Sequence, residues 1–348
     1  MELRTLGKTG LQVGAVGLGT EHIERTPETH DTILRMAVES GVNYVDLLYI
    51  EPDYWEAFGP VYRRYRQDLV VAAHWGGGAE YELDYCKQTF ENVLRNTGSD
   101  YVDVAMITMI DDGKRVGAPW REATLSHLRR LQEQGHVGYI GGSAHDPHLA
   151  LEAVQEGWLD VLMFPVNMVG HGVEPEDALH RACVEQGVGL VAMKPYHGGI
   201  LFWADGEPTG ITPAQCLSYT LARPVSTTVP GPRTVSEWAS TLSYLQATEA
   251  ERAYAPVVDG LTEIMAGKCV YCHHCLPCPE GLQVGWLIWL VDHAHDGVTP
   301  ELQQMYDGHT HLASECVQCG ICVERCPFDV DIMGKFDQAV RLFEAAAP

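Results

Sequence analysis

Eight short β-rich stretches alternate with helical stretches over the first 245 residues of this 348-residue chain, and that rhythm leaves few folds open. The strand candidates are 15–19 (AVGLG), 43–48 (NYVDLL), 69–74 (LVVAAH), 101–108 (YVDVAMIT), 137–143 (VGYIGGS), 160–165 (DVLMFP), 188–193 (VGLVAM) and 225–230 (VSTTVP). The helical candidates between them include 28–40, 81–96, 119–134, 147–156, 176–186, 212–222 and 234–245. Several begin at capping or first-turn residues, such as Thr26-Pro27-Glu28 and Thr212-Pro213. Eight strands and their helices in roughly 230 residues is the count of an α/β fold of one kind, the (β/α)8 TIM barrel. A doubly wound sheet would carry Gly-x-Gly-x-x-Gly after its first strand, and none follows 15–19. Gly76-Gly77-Gly78 and Gly141-Gly142 sit at strand ends and read as loops more readily than as phosphate cradles.

The remaining segment is marked by cysteine. Cys86, Cys183 and Cys216 are scattered through the barrel region and read as small buried apolar residues, whereas the other eight of the eleven cysteines crowd into residues 269 to 326. They form two runs, Cys269-x2-Cys272-x2-Cys275-x2-Cys278-Pro and Cys316-x2-Cys319-x2-Cys322-x3-Cys326-Pro. Disulfides suit a secreted chain, and residues 1–10 (MELRTLGKTG) lack the charged-then-apolar pattern of a secretory leader, so the expected address is the cytoplasm. Zinc usually takes its ligands in pairs, and four close thiolates ending in Cys-Pro exceed that need. The second run has the spacing of bacterial ferredoxins, in which three cysteines hold one [4Fe–4S] cluster and the fourth reaches the other. The first run is one residue shorter. By that cross-over Cys269, Cys272, Cys275 and Cys326 hold one cluster, and Cys316, Cys319, Cys322 and Cys278 hold a second. His273 and His274, inside the first run, read as neighbours of the ligands. The run 284–291 (VGWLIWLV) reads as a helix tying this part together, and His293, His295, His309 and His311 as solvated linker residues. We place the division at 1–245 and 246–348, with the second part a C-terminal α-helical, ferredoxin-like iron–sulfur domain.

Charge narrows the partners. Lys and Arg total 23 against 47 Asp and Glu, a formal net charge of −24. Such a surface repels phosphate backbones and anionic lipid, so nucleic acid and membrane are poor expectations, while a redox protein and a small molecule fit. No apolar run approaches the ~18 residues of a membrane span. The oligomeric state is not legible.

Barrel chemistry lies at the C-terminal ends of the strands. There the chain places Glu21 and His22, Asp46 to Glu51, His74, Thr108, Ser143 to His145, Asn167, Lys194 to Gly199, and Gly231 to Arg233. Met106, Met109, Met163, Met168, Tyr196, Phe202 and Trp203 would line the pocket and suit an apolar or ring-bearing substrate.

Arg4-Thr-Leu-Gly-Lys-Thr-Gly10, Gly17-Leu-Gly-Thr, Gly41-Val-Asn-Tyr-Val-Asp46, Ala192-Met-Lys-Pro195 and Val229-Pro-Gly231 resemble the aldo/keto reductases, and with the cysteine tail the whole chain resembles their iron–sulfur branch. The resemblance implies NAD(P)H lying extended across the barrel mouth and a catalytic Asp-Tyr-Lys-His tetrad, whose Tyr protonates the substrate carbonyl as hydride arrives. Asp46 matches the Asp. Glu51 stands where the Tyr is expected, with Tyr49 and Tyr54 near but out of register; His74 replaces the Lys and Thr108 the His. Gly231 and Arg233 match the pyrophosphate and phosphate loop, Ser143 and Asn167 the carboxamide side, and Lys194 and His145 the iron–sulfur branch. The family's Glu-Asn pair near the adenine is Ser240-Thr241, so NAD(P)H binding stays open.

Three readings follow. In the leading one the chain is an oxidoreductase that moves electrons between two [4Fe–4S] clusters and a substrate at the mouth, with Asp46, Glu51 and His74 handling protons. In the second it is a non-redox lyase, dehydratase or isomerase with structural clusters. In the third it is an electron carrier without catalysis. Asp46, Glu51 and His74 could also form a His-carboxylate metal set.

Overall fold

The computed structural model describes residues 1–48, 52–76, 82–111, 117–172, 174–204 and 207–344. Eight parallel strands follow one another around a barrel: β1 (Leu18–Gly19), β2 (Tyr44–Leu47), β3 (Val70–Trp75), β4 (Val102–Ile107), β5 (Val137–Ser143), β6 (Val161–Pro165), β7 (Gly189–Met193) and β8 (Thr227–Val229). Each pairs in register with its sequence neighbour, Asp46 opposite Ala72 and His74 opposite Met106. Backbone bonds close the ring: Thr228 N–H donates to the Ala15 carbonyl at 3.0 Å, and Gly17 N–H to the Thr228 carbonyl at 2.7 Å. Side chains alternate along each strand. Tyr44, Ala72, Val104, Met106, Val161, Met163 and Val191 share one core, while Val45, Ala73, Trp75, Ala105 and Ile107 share another, the layer that packs on the helices.

The inner core continues into an N-terminal hairpin, Leu3–Thr5 paired with Gln12–Gly14. Leu6 and Val13 are fully buried with the inner strand residues, and Tyr139 Oη donates to the Thr9 carbonyl at 2.5 Å. The hairpin thus stoppers the N-terminal end of the barrel. Lys8 N–H reaches the carbonyl of Gly187, and a Cβ on Gly7 would lie 2.3 Å from the Gly189 nitrogen, so this close approach and a φ of +52° both require glycine.

The outer helices are α1 (Pro27–Glu39), α2 (Pro52–Tyr65), α3 (Leu83–Thr97), α4 (Ala118–Glu133), α5 (Pro147–Gln155), α6 (Glu174–Gln186), α7 (Pro213–Leu221) and α8 (Val235–Leu242). Thr26, Asp146, Thr212 and Thr234 cap α1, α5, α7 and α8 with side-chain oxygens on early N–H groups. Helix α2 is absent from the sequence expectations because Gly59-Pro60 interrupts it. Tertiary packing overrides that signal: Tyr54, Phe58, Val61 and Tyr62 bury one face, and Gly59 lets α2 press against Asn96 of α3.

Two compact units result. One holds Met1–Met168, Glu174–Gly199 and Ile211–Tyr254, and the other holds Val169–Val173, Ile200–Gly210 and Ala255–Pro348. After the short α9 (Glu249–Arg252), the second contains α10 (Ala255–Ile264), α11 (Val284–His293), α12 (Pro300–Asp307), α13 (Ile321–Arg325) and α14 (Ile332–Ala339). Helix α11 is the expected organising element: Val284, Leu287, Ile288, Leu290 and Val291 are buried, and α14 packs against it. Trp286, Trp289 and His293 stack along its exposed side, so His293 is a stacking residue more than a linker one. Among the described residues no helix is long and apolar enough to cross a membrane.

Candidate active site and cysteine cage

Alternation along β2 and β3 brings Asp46 and His74 to one face at the strand ends, with Thr108 just past β4. His74 Nε2 lies 3.1 Å from Asp46 Oδ1, and Nδ1 lies 2.9 Å from Thr108 Oγ1. All three side chains are buried. The Thr108 hydroxyl donates to the Gly76 carbonyl at 2.6 Å. A carbonyl only accepts, so the single hydroxyl hydrogen is used there and Oγ1 must receive an N–H from His74 Nδ1. That leaves Nε2 opposite a carboxyl oxygen. Two bare acceptors do not sit 3.1 Å apart, so a proton resides on the Asp46–His74 contact. The group is a wired chain, Asp46 to His74 to Thr108 to Gly76.

Two of the expected mouth residues, Tyr49 and Glu51, lie outside the described residues, as do Gly77 and Gly78. Tyr54 is described; its hydroxyl is 3.0 Å from that of Tyr62, whose own hydroxyl is 3.2 Å from His30 Nδ1. Sequence reasoning passed over Tyr44, two residues before Asp46 on the same face. It is fully buried, and burial, then Asp46 and Asp103, push its phenol well above the usual range, so it stays neutral.

On the other side of the mouth most of the expected cofactor groups are occupied within the protein. Ser143 Oγ accepts from Met109 N–H at 2.9 Å. Asn167 Nδ2 faces the Lys194 carbonyl at 3.0 Å and His197 Nδ1 at 3.2 Å, which engages both amide hydrogens. Lys194 follows β7 in left-handed backbone with φ 54°, and its Nζ is 3.1 Å from His145 Nε2. Crowding pushes its ammonium below the ordinary lysine range, opposed by Glu21 and Asp111. Arg233 is exposed, but its N–H donates to Glu237 Oε2 at 2.6 Å, so a carboxylate already sits in the first turn after Gly231 and Arg233, where a phosphate would be received. Thr241 accepts from Tyr196 Oη at 3.0 Å, and this turns the Tyr196 hydroxyl toward α8. Asp111 was also missed. Its Oδ2 accepts the N–H groups of His145 and Asp146 at 2.5 and 2.7 Å, tying the turn after β4 to the start of α5, and burial raises its pKa despite both donors.

Cysteines of the two runs lie near one another in the second unit. Cys278, Cys316, Cys319 and Cys322 line one small pocket, walled by Leu282 and Phe336. Burial, then the neighbouring Cys272, Cys322 and Cys326 sulfurs, push the Cys275 thiol up to about 12, and burial with Cys316 and Cys278 raises that of Cys322. Among the described residues no three His, Cys, Asp or Glu side chains converge as a single-ion site; the four sulfurs line a pocket instead. Soft thiolates around such a pocket suit an iron–sulfur group.

Comparison with known proteins follows the same division. The aldo/keto reductase family matches residues 10–215, well over half of the chain. The chain belongs to the aldo/keto reductase family. This aldo/keto reductase is therefore an oxidoreductase, and it also carries a 4Fe-4S binding domain matched over residues 310–330. It is 24% identical over 279 residues to the uncharacterized oxidoreductase YqkF of Bacillus subtilis, covering 76% of this chain and 88% of that protein. It is 26% identical over 224 residues to the L-glyceraldehyde 3-phosphate reductase of Escherichia coli, covering 58% of this chain and 63% of the relative. The fold matches aldo-keto reductase AKR11C1 from Bacillus halodurans, with a TM-score of 0.62 at 22% identity over 74% of this chain and 96% of the other.

Proposed function

We propose that this aldo/keto reductase is an iron–sulfur oxidoreductase that moves electrons between two [4Fe–4S] clusters and a small apolar or ring-bearing substrate at the barrel mouth. Residues 1–245 carry the chemistry and residues 246–348 carry the electrons. The observation that carries the reading is the buried Asp46–His74–Thr108 chain, a hydrogen-bonded set at the positions where the family resemblance has a carboxylate, an ammonium and an imidazole. When bound, the clusters supply single electrons. Cys269, Cys272, Cys275 and Cys326 would hold one, and Cys316, Cys319, Cys322 and Cys278 the other. Thr108 orients the imidazole, His74 holds the proton, and Asp46 passes it to the substrate, while Glu51 is the second proton-handling group. A two-electron reduction of an activated double bond takes up two electrons and two protons, which matches one electron from each cluster and one proton from each of these two groups. Free thiolates need a reducing compartment, which fits the cytoplasm, and the acidic surface fits a basic redox protein as the source of electrons.

Ser143, Asn167, Lys194, Gly231 and Arg233 are the residues that would meet NAD(P)H. Their internal engagements favour electron entry through the clusters.

The test is anaerobic. Purified protein should contain about eight irons per chain. It should oxidise reduced methyl viologen only when one of a panel of aromatic enones or enoates is added. His74→Ala and Glu51→Gln should abolish that turnover with iron unchanged. Full activity in both variants, or activity that survives loss of iron in Cys322→Ser, would refute the proposal. Bleaching of the cluster absorbance by NADPH alone would move electron entry to the nicotinamide.

A further inference from the structure

The two cysteine runs are copies of one frame. Cys269-Val-Tyr-Cys272-His-His-Cys275 aligns without a gap on Cys316-Val-Gln-Cys319-Gly-Ile-Cys322. The backbone repeats too. Tyr271 and Gln318 both have left-handed φ, 51° and 54°, and so do His273 and Gly320, 64° and 78°. Non-glycine residues rarely adopt that region, and here it turns an amide back on the preceding sulfur. Gln318 N–H donates to Cys316 Sγ at 3.4 Å, and Tyr271 N–H makes the matching bond to Cys269.

The copies differ at the sixth position, where His274 in the first faces Ile321 in the second. His274 Nδ1 lies 3.1 Å from Cys272 Sγ, and a thiolate sulfur only accepts, so the ring's one N–H belongs on that nitrogen. Isoleucine offers Cys319 no such donor. We infer that His274 donates a hydrogen bond to the Cys272 sulfur and raises the reduction potential of the cluster that Cys272 holds. The inference rests on the proposal that Cys272 is an iron ligand. One electron enters such a cluster with no bond made or broken, and the added negative charge spreads over its sulfurs. An N–H aimed at one of those sulfurs stabilises the reduced form more than the oxidised form. His274 is thus a positioning residue that makes the two clusters unequal inside a repeated frame.

The experiment is an anaerobic dithionite titration of the iron-loaded protein, followed by electron paramagnetic resonance. His274→Ile makes the first copy like the second. It should lower one midpoint by at least tenfold in the reduction equilibrium, about 59 mV for a one-electron couple, and leave the other midpoint in place. His274→Asn keeps an N–H donor and should recover part of the shift. If the isoleucine variant does not retain iron, His274→Phe replaces it in the comparison. Two unchanged midpoints in an iron-replete Ile or Phe variant would overturn the inference while leaving the cluster assignment standing. Full iron in Cys272→Ser would overturn the assignment itself, and the inference with it.

Discussion

Glycine-to-alanine substitution at two helical positions should move stability in opposite directions. In a helix interior alanine is favoured over glycine by about 0.8–1.0 kcal/mol. Gly260 in α10 shows that gain in isolation: a Cβ there would meet only Ile264 Cδ1, at 3.9 Å. Gly260→Ala should stabilise the protein by roughly 0.5–1 kcal/mol. Gly59 in α2 has the same propensity gain and no space. Its Cβ would lie 2.6 Å from Asn96 Cβ, 2.7 Å from the Asn96 carbonyl oxygen and 2.9 Å from the Asn96 carbonyl carbon. Carbon atoms pack best at about 3.5–4.0 Å, so α2 would have to retreat from α3 by roughly an ångström. Two of the three clashing atoms are backbone and cannot rotate away. Overpacking costs about 1–3 kcal/mol, and the rigid neighbour puts this site at the upper end. Subtracting the helical gain leaves a net loss of roughly 2 kcal/mol for Gly59→Ala. Urea unfolding of the iron-loaded protein under argon, followed at 222 nm, reads both variants against the parent. A Gly59→Ala protein as stable as the parent, beside a stabilised Gly260→Ala, would refute the packing argument.

Three further outcomes are expected. Thr108→Val keeps the shape but strands the His74 Nδ1–H and the Gly76 carbonyl; unfolding should show a loss of about 1–3 kcal/mol, and viologen-linked turnover should fall in parallel. His30 is fully buried, and burial, with Arg25 adding to it, depresses its pKa from 6.5 to about 4. Because the unfolded chain then binds the proton more readily, this contribution is intact above the ordinary value and is lost as pH falls from 6.5 toward 4, by roughly 3 kcal/mol in full. His30→Gln should shrink the fall in the urea midpoint between pH 7 and pH 5, and an unchanged fall would show that the ring is not held neutral. Cys278→Ser should halve the iron content if Cys278 shares a cluster with Cys316, Cys319 and Cys322, whereas an undiminished content would remove it from that set.

Much of the barrel was legible because strand residues alternate and the eight runs are bounded by turn residues. The same alternation made Asp46 and His74 readable as neighbours, since two positions at the ends of adjacent parallel strands share a face. Helix α2 was not legible, because Gly59-Pro60 is a local stop signal that only the pressure of α3 and a buried aromatic face overrule. Asp111 was hidden for another reason. It follows β4 by a few residues, and its role depends on two amides of a different turn, a relation with no periodicity to detect. Tyr44 could have been found by counting back two from Asp46. The occupied state of Ser143 and Asn167 is tertiary information, because residue type shows a group's hydrogen-bonding capacity and not who already uses it.

The hairpin at the start of the chain has a bearing on turnover. With Leu6 and Val13 packed as a stopper beneath the strands, the barrel is a cul-de-sac. Whatever reacts at Asp46 has to arrive and depart through one doorway, so the spent molecule must back out before a fresh one can enter, and any bulky product retained there would act as its own plug.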